Sequence, residues 1–188
     1  MPDTPPDPLE LTRRWVERVV IGLNLCPFAK AVQAKGQVRY VLSRARDIDA
    51  LRADLVAECE HLRDTPAAIT DTTLLVHPWV LTDFLDYNDF LDVADSALVE
   101  LDLDGVLQVA SFHPDYRFAG SAPDDIENHT NRSPFPMQHL LREESIDRAI
   151  EAYPASDTII ERNHATMQRV GSDGLRRLME TDVQPRQR

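Results

Sequence analysis

Cysteine is scarce in this 188-residue chain: Cys26 and Cys59 are too few for a disulfide framework and ordinary for a chain kept reduced in a cytosol. Two free thiols are therefore expected. Glycine is scarce too, with six residues, and neither a phosphate-cradling loop nor a dinucleotide fingerprint occurs. No Gly-x-Ser-x-Gly elbow signals a Ser/His/Asp hydrolase. No apolar run approaches the roughly 18 residues that a transmembrane helix needs. The opening residues, Met1-Pro-Asp-Thr-Pro-Pro-Asp-Pro8, are acidic and proline-rich, unlike a secretory signal. Positive charge is in deficit, with 20 Lys+Arg against 32 Asp+Glu and a formal net charge of −12. That balance argues against duplex nucleic acid and anionic membrane surfaces as partners. The expectation is an acidic, cytoplasmic protein whose oligomeric state the sequence leaves open.

What is present suits one domain, since 43% of the residues are hydrophobic. The organisation read from the chain is a disordered N-terminus over 1–8, a single α/β domain over 9–171, and a short helix with a frayed tail over 172–188. Leu11, Trp15, Val16, Val19, Val20 and Leu23 recur at helical spacing, and Cys26-Pro27 ends that helix. Strands are expected at 37–43, 72–77 and 106–112. Two long helices connect them, one capped by Asp47 and carrying Leu51, Leu55, Cys59 and Leu62, the other opened by Thr82 or Asp83 and closed by Gly105. Cys59 falls on the buried stripe and reads as core. Further helices are expected from Pro136, with Met137, Leu140 and Leu141 inward, from Ser145, and from Ser156 or Asp157 to Gly171. The fold class is thus α/β, with a small three-stranded sheet, mostly parallel or mixed, five to six flanking helices and a helical C-terminal part.

Between the third strand and the Pro136 helix the periodicity breaks, with Pro114, Pro123, Pro134 and Pro136 in one stretch. Tyr116, Phe118, Ile126 and Phe135 mark that stretch as packed against the domain. If the crossovers are right-handed, the strand ends bring Ser43, Arg44, His77, His113 and Asp115 to one sheet edge, where open α/β sheets bind ligands. From His113 to Glu143 the chain offers three histidines, three arginines, five carboxylates and two asparagines.

Three chemical readings compete. In the first, His113, His139 and Glu143, with Glu127 or Asp125, hold a divalent metal, because His139 and Glu143 four apart on a helix share a face. Many helices carry such a pair merely as surface ions. The Glu161 and His164 pair has di-iron spacing, but one copy stands where two are needed. In the second, Arg132 and Arg142 fork onto the carboxylate or phosphate of a small anionic molecule while His113 or His139 handles protons. Against this, the two arginines could instead pair with Glu127, Glu143 or Asp125 and pin the loop. In the third, Cys26 is a nucleophile or a metal or haem thiolate; a position at a helix C-terminus disfavours the nucleophile, and a buried structural thiol is the better reading.

Several segments resemble one family. Gly22-Leu-Asn-Leu-Cys-Pro-Phe-Ala29, Gln108-Val-Ala-Ser-Phe-His-Pro114, Phe118-Ala-Gly120, Glu127-Asn128, Thr130-Asn-Arg-Ser-Pro-Phe-Pro136, His139-Leu-Leu-Arg-Glu143 and Glu161-Arg-Asn163 are similar to an uncharacterised bacterial family, domain of unknown function 1415 (DUF1415). The resemblance spans about residues 9–170 and implies no particular reaction. It singles out His113, His139, Glu143, Glu127, Asn131, Arg132, Arg142, Glu161, Asn163 and Cys26, and passes over His77, His129 and His164.

The expected function is a small-molecule enzyme or ligand-binding domain. His113, His139 and Glu143 are its catalytic candidates, and Arg132, Arg142, Asn131 and Asn163 its substrate-binding ones. His113, His139, Glu143 and Glu127 are the candidate metal ligands, and a divalent metal the candidate cofactor. The alternative is a non-catalytic interaction protein that docks through the 113–136 loop.

Overall fold

Asp7 and Pro8 start the first helix, α1 (Pro8–Trp15): the Asp7 carboxylate accepts the Leu9 N–H at 3.2 Å, and proline takes the first helical position. Order therefore begins inside the segment expected to be disordered. The computed structural model describes residues 7–153 and 158–180; the remaining parts of both expected tails, and the Ser156 or Asp157 cap, lie outside the described residues.

The helix winds on through Val16–Ile21 with π-helical spacing. A Cβ at Gly22 would sit 2.2 Å from the Arg18 carbonyl oxygen, so glycine suits the exit. Asn24, at φ 55°, then turns the chain toward Cys26 and α2 (Ala29–Ala34). Cys26 is thus in a connecting segment ahead of a short helix, and not at the helix C-terminus expected from the sequence.

The elements that follow are β1 (Val38–Leu42), α3 (Ile48–Asp64), β2 (Thr72–Val76), α4 (Phe84–Glu100) and β3 (Leu107–Phe112). Asp47 and Asp83 cap α3 and α4 through backbone N–H groups at 2.8 Å. Next come a 3-10 turn (Ile126–Thr130), β4 (Met137–Arg142), α5 (Glu143–Glu151) and α6 (Ile159–Met179). Gly171, at φ 65°, kinks α6, which runs on to Met179.

The sheet has four strands, in the order β1-β2-β4-β3, and not the three read from the sequence. β1 and β2 pair in parallel, while β4 runs antiparallel to both of its neighbours. β1, β2 and β3 therefore point the same way, with the fourth strand inserted between the second and third. That strand is Met137–Arg142, which reads as helix by spacing. Its apolar residues escape the alternation of a half-buried strand because it is central and covered on both sides, with Met137, Gln138 and Leu140 fully buried.

Register assigns the two faces. Thr73, Leu75, Leu107, Val109, Gln138 and Leu140 share one face, against the α3 and α4 residues Leu51, Leu55, Leu62, Tyr87, Phe90 and Leu98. Cys59 is buried there. Thr72, Leu74, Val76, Ala110, Phe112, Met137 and His139 share the other, against Trp15, Val16, Val19, Met167 and Leu175 of the first and last helices. Tyr87 joins the strands at one end, its hydroxyl donating to the Met137 carbonyl at 2.8 Å and accepting the Phe112 N–H at 3.0 Å. Among the described residues, no helix is long and apolar enough to cross a membrane.

Candidate functional site

His139 stands near the middle of β4 on the α1/α6 face, with Leu74 and Ala110 beside it on the flanking strands. Its Nε2 lies 2.7 Å from Thr72 Oγ1, and that hydroxyl lies 2.6 Å from the Leu140 carbonyl oxygen. A carbonyl only accepts, so the Thr72 proton goes to Leu140, and Nε2–H donates to Thr72. Nδ1 is then a bare lone pair, and no other described residue hydrogen-bonds to it. Burial pushes the imidazole down to about 4, so it is neutral at pH 7.

The ring forms part of the wall of an inner chamber of about 360 Å³. Leu74, Ala110 and Phe112 of the sheet contribute to that wall, as do Trp15, Val16, Val20, Phe28 and Ala29 near the N-terminus and Ile146 and Ala149 of α5. Asp71, Thr72, Gln108 and Ser145 are its other polar residues, apart from Arg142, and Ser145 donates to Asp71 at 2.6 Å.

A second, outer chamber of about 700 Å³ adjoins it, and the two share Val20, Cys26 and Phe112. The proline-rich loop forms its outer wall. Asn128, fully buried, organises that loop: its Nδ2 donates to the Ala122 carbonyl at 2.8 Å, and its Oδ1 accepts from the Phe118 N–H and the Ser121 hydroxyl. Asn131 donates to the Ser111 carbonyl at 3.1 Å, tying the loop to β3. Asn163 donates to the Leu25 carbonyl at 2.9 Å, tying α6 to the Cys26 segment. Glu127 accepts from Gln168 of α6 at 3.1 Å.

The expected residues thus divide. Cys26, Glu127, Asn131 and Asn163 meet around the outer chamber, and His139 lies in the wall of the inner one. His113 belongs to neither, being fully buried on the α3/α4 face beside Phe84 and Tyr87. Its Nδ1 accepts the Asp115 N–H at 3.0 Å and its Nε2 donates to the Leu81 carbonyl at 3.2 Å, so both nitrogens are engaged. The sheet separates it from His139. The pairing of His139 with Glu143 on one helix is also corrected, because His139 is in a strand and Glu143 opens α5. Among the described residues, no three His, Cys, Asp or Glu side chains converge as a metal site would require. The four candidate ligands therefore do not form one.

The arginines are corrected likewise. Arg132 donates to the Tyr116 and Pro123 carbonyls, and Arg142 to those of Leu62, Thr65 and Thr70. Both pin the chain as structural clamps, with backbone carbonyls in place of the carboxylate partners considered above. Glu161 is exposed on α6 and lines neither chamber.

Sequence reasoning missed Thr72, Phe112 and Ile160 and set His164 aside. Thr72 had a signal, as one of two hydroxyls opening a strand whose other residues are apolar. His164, three residues after Glu161, is a wall residue of the outer chamber.

Most of the segments carrying the family resemblance contribute to that chamber, through Leu25 and Cys26, Phe112, Phe118 to Gly120, Glu127, Thr130 and Asn131, and Asn163. The chain belongs to the family described as Protein of unknown function (DUF1415), whose model matches residues 8–177. No curated protein and no solved structure matches it.

Proposed function

We propose that this member of the DUF1415 family is a small-molecule-binding domain whose site is the pair of chambers on the α1/α6 face. Its ligand has a mostly apolar body and at least one hydrogen-bond donor. The observation that supports this most is the bare Nδ1 of His139 in a chamber walled mainly by apolar side chains. Because that atom is reachable from the chamber, a ligand's donor can pair with it, a hydrogen bond worth about 0.5–1.5 kcal/mol. A largely apolar cavity with a few convergent polar groups is the usual form of a small-molecule site.

Two features argue against the anionic ligand expected from the sequence. Both arginines hold backbone carbonyls, and neither chamber has a lysine among its described wall residues. Binding is favoured over acid–base chemistry because an imidazole held at about 4 is a weak base at pH 7. In this reading the protein works in the cytoplasm, and its acidic surface keeps it from nucleic acid and anionic membranes.

Titration calorimetry with phenol, an uncharged aromatic donor, tests the proposal. Binding is expected in the unaltered protein, abolished in Ala110→Leu, which fills the chamber, and weakened about five- to tenfold in His139→Leu, which removes one hydrogen bond. Absence of phenol binding, or unchanged binding in Ala110→Leu, would overturn it.

A further inference from the structure

In the outer chamber two asparagine amides are fixed by the protein so that each presents its oxygen as an acceptor, and two carboxylates stand beside them. Asn131 and Asn163 each turn their Nδ2 to a backbone carbonyl on another element, of Ser111 and Leu25 respectively. That fixes both amides and leaves their Oδ1 atoms as the acceptors they offer. Asn163 Oδ1 has no partner among the described residues, and Asn131 Oδ1 has only a long contact of 3.3 Å with Thr130. The Thr130 hydroxyl lies 2.8 Å from the Glu127 carbonyl, and Ser121 Oγ lies 2.9 Å from the Phe118 carbonyl and 2.7 Å from Asn128 Oδ1. Cys26, His164 and the second N–H of each asparagine amide are the donors left in the described wall, and none of them carries a positive side-chain charge of the lysine or arginine kind.

Charge points the same way. Two carboxylates stand in the wall, each held through one oxygen: Asp125 by the Ala122 N–H at 2.8 Å and Glu127 by Gln168 at 3.1 Å. No lysine or arginine is among the described wall residues. Phe112 and Phe118 add aromatic rings, whose faces attract cations. The adjoining inner chamber differs, because its wall includes Arg142, whose Nε has no partner, beside the free acceptor atom of His139, so the charged head group is assigned to the outer chamber. An anion would meet two carboxylates and amide oxygens here, whereas a protonated amine brings hydrogens to acceptors and charge to carboxylates.

We propose that the outer chamber seats the ammonium group of an amine whose apolar part extends past Cys26 and Phe112 toward the inner chamber. This assignment of the ligand's head group rests on the binding reading above. Ile160, 68% exposed at the chamber wall, gives the ligand an apolar edge to pass.

Three probes with one tail separate the head group from the body: n-octylamine, n-octanol and n-octanoate, each titrated calorimetrically at pH 7. The amine is expected to bind about tenfold more tightly than the alcohol, because only the amine brings a positive charge to the two carboxylates, and the carboxylate most weakly. Glu127→Gln keeps the side-chain shape and the contact with Gln168 but removes the charge, so it should erase most of the amine's advantage and weaken octanol clearly less than the amine. If the probes bind but the amine holds no advantage over the alcohol, or Glu127→Gln weakens all three alike, the head-group assignment is overturned while the site itself stands. If none of the three binds, the binding reading falls and this inference with it.

Discussion

On the face of the sheet that carries α3 and α4, His113 uses both ring nitrogens inside the protein, whereas on the α1/α6 face His139 uses one and presents the other to a chamber. The two imidazoles flank the same strands and are both pushed down by burial. Unpaired polar atoms do not by themselves separate the faces, because Thr73 Oγ1, His77 Nε2 and the Gln138 amide are also without partners and lie on the α3/α4 side. Those three residues have at most negligible exposure, while His139 is partly exposed within its chamber. An orphaned acceptor marks a site where a ligand can reach it; in a close-packed core it is a stability cost.

The most damaging way to break this contrast is a cavity on the packed face. Leu140→Ala should cost about 2–5 kcal/mol, since the residue is fully buried among the α3 and α4 side chains. Leu141→Ala, on the half-buried chamber side, should cost clearly less. Urea unfolding of both variants measures the difference.

Acid is the next lever. Burial holds His77 and His139 at about 4 against an ordinary 6.5, and lowers His113 as well. The unfolded chain takes up these protons first, so the stability they contribute is complete above about pH 6.5 and lost as pH falls toward about 4. Each of His77 and His139 accounts for at most about 3 kcal/mol of that loss. Unfolding measured between pH 7 and pH 4.5 should show the decline, and His139→Leu should flatten it.

Gln138→Met tests the packed face from the other direction. Replacing a fully buried amide with no partner by an apolar side chain of similar length should raise stability by about 1–3 kcal/mol, read from the urea midpoint. The smallest effect is expected from Ala110→Leu, within about 1 kcal/mol, because its added carbons enter the inner chamber and not packed core.

The packed face was also the legible one. α3 and α4 announce themselves through the Asp47 and Asp83 caps and their apolar stripes, and β1, β2 and β3 through runs of strand formers. β4 hid, because a strand covered on both sides need not alternate, and Met137, Leu140 and Leu141 fall at helical spacing. That one substitution of strand for helix separates His139 from Glu143. The arginines were misleading for another reason: a guanidinium bound to backbone carbonyls has partners that no side-chain pattern displays. Asn131 and Asn163 were marked by family resemblance alone, Cys26 and Glu127 also by their side-chain chemistry, and only the folded chain shows that the four surround one cavity.

Methyl-labelled NMR with n-octylamine tests the central distinction between the faces most directly. Shifts are predicted in the methyl groups of Val16, Val20, Ala29, Ala110 and Ala149, which line the inner chamber, while those of Leu51, Leu55 and Leu98 against the opposite face stay in place. Shifts centred on the α3/α4 residues, or no shift on either side, would contradict the account.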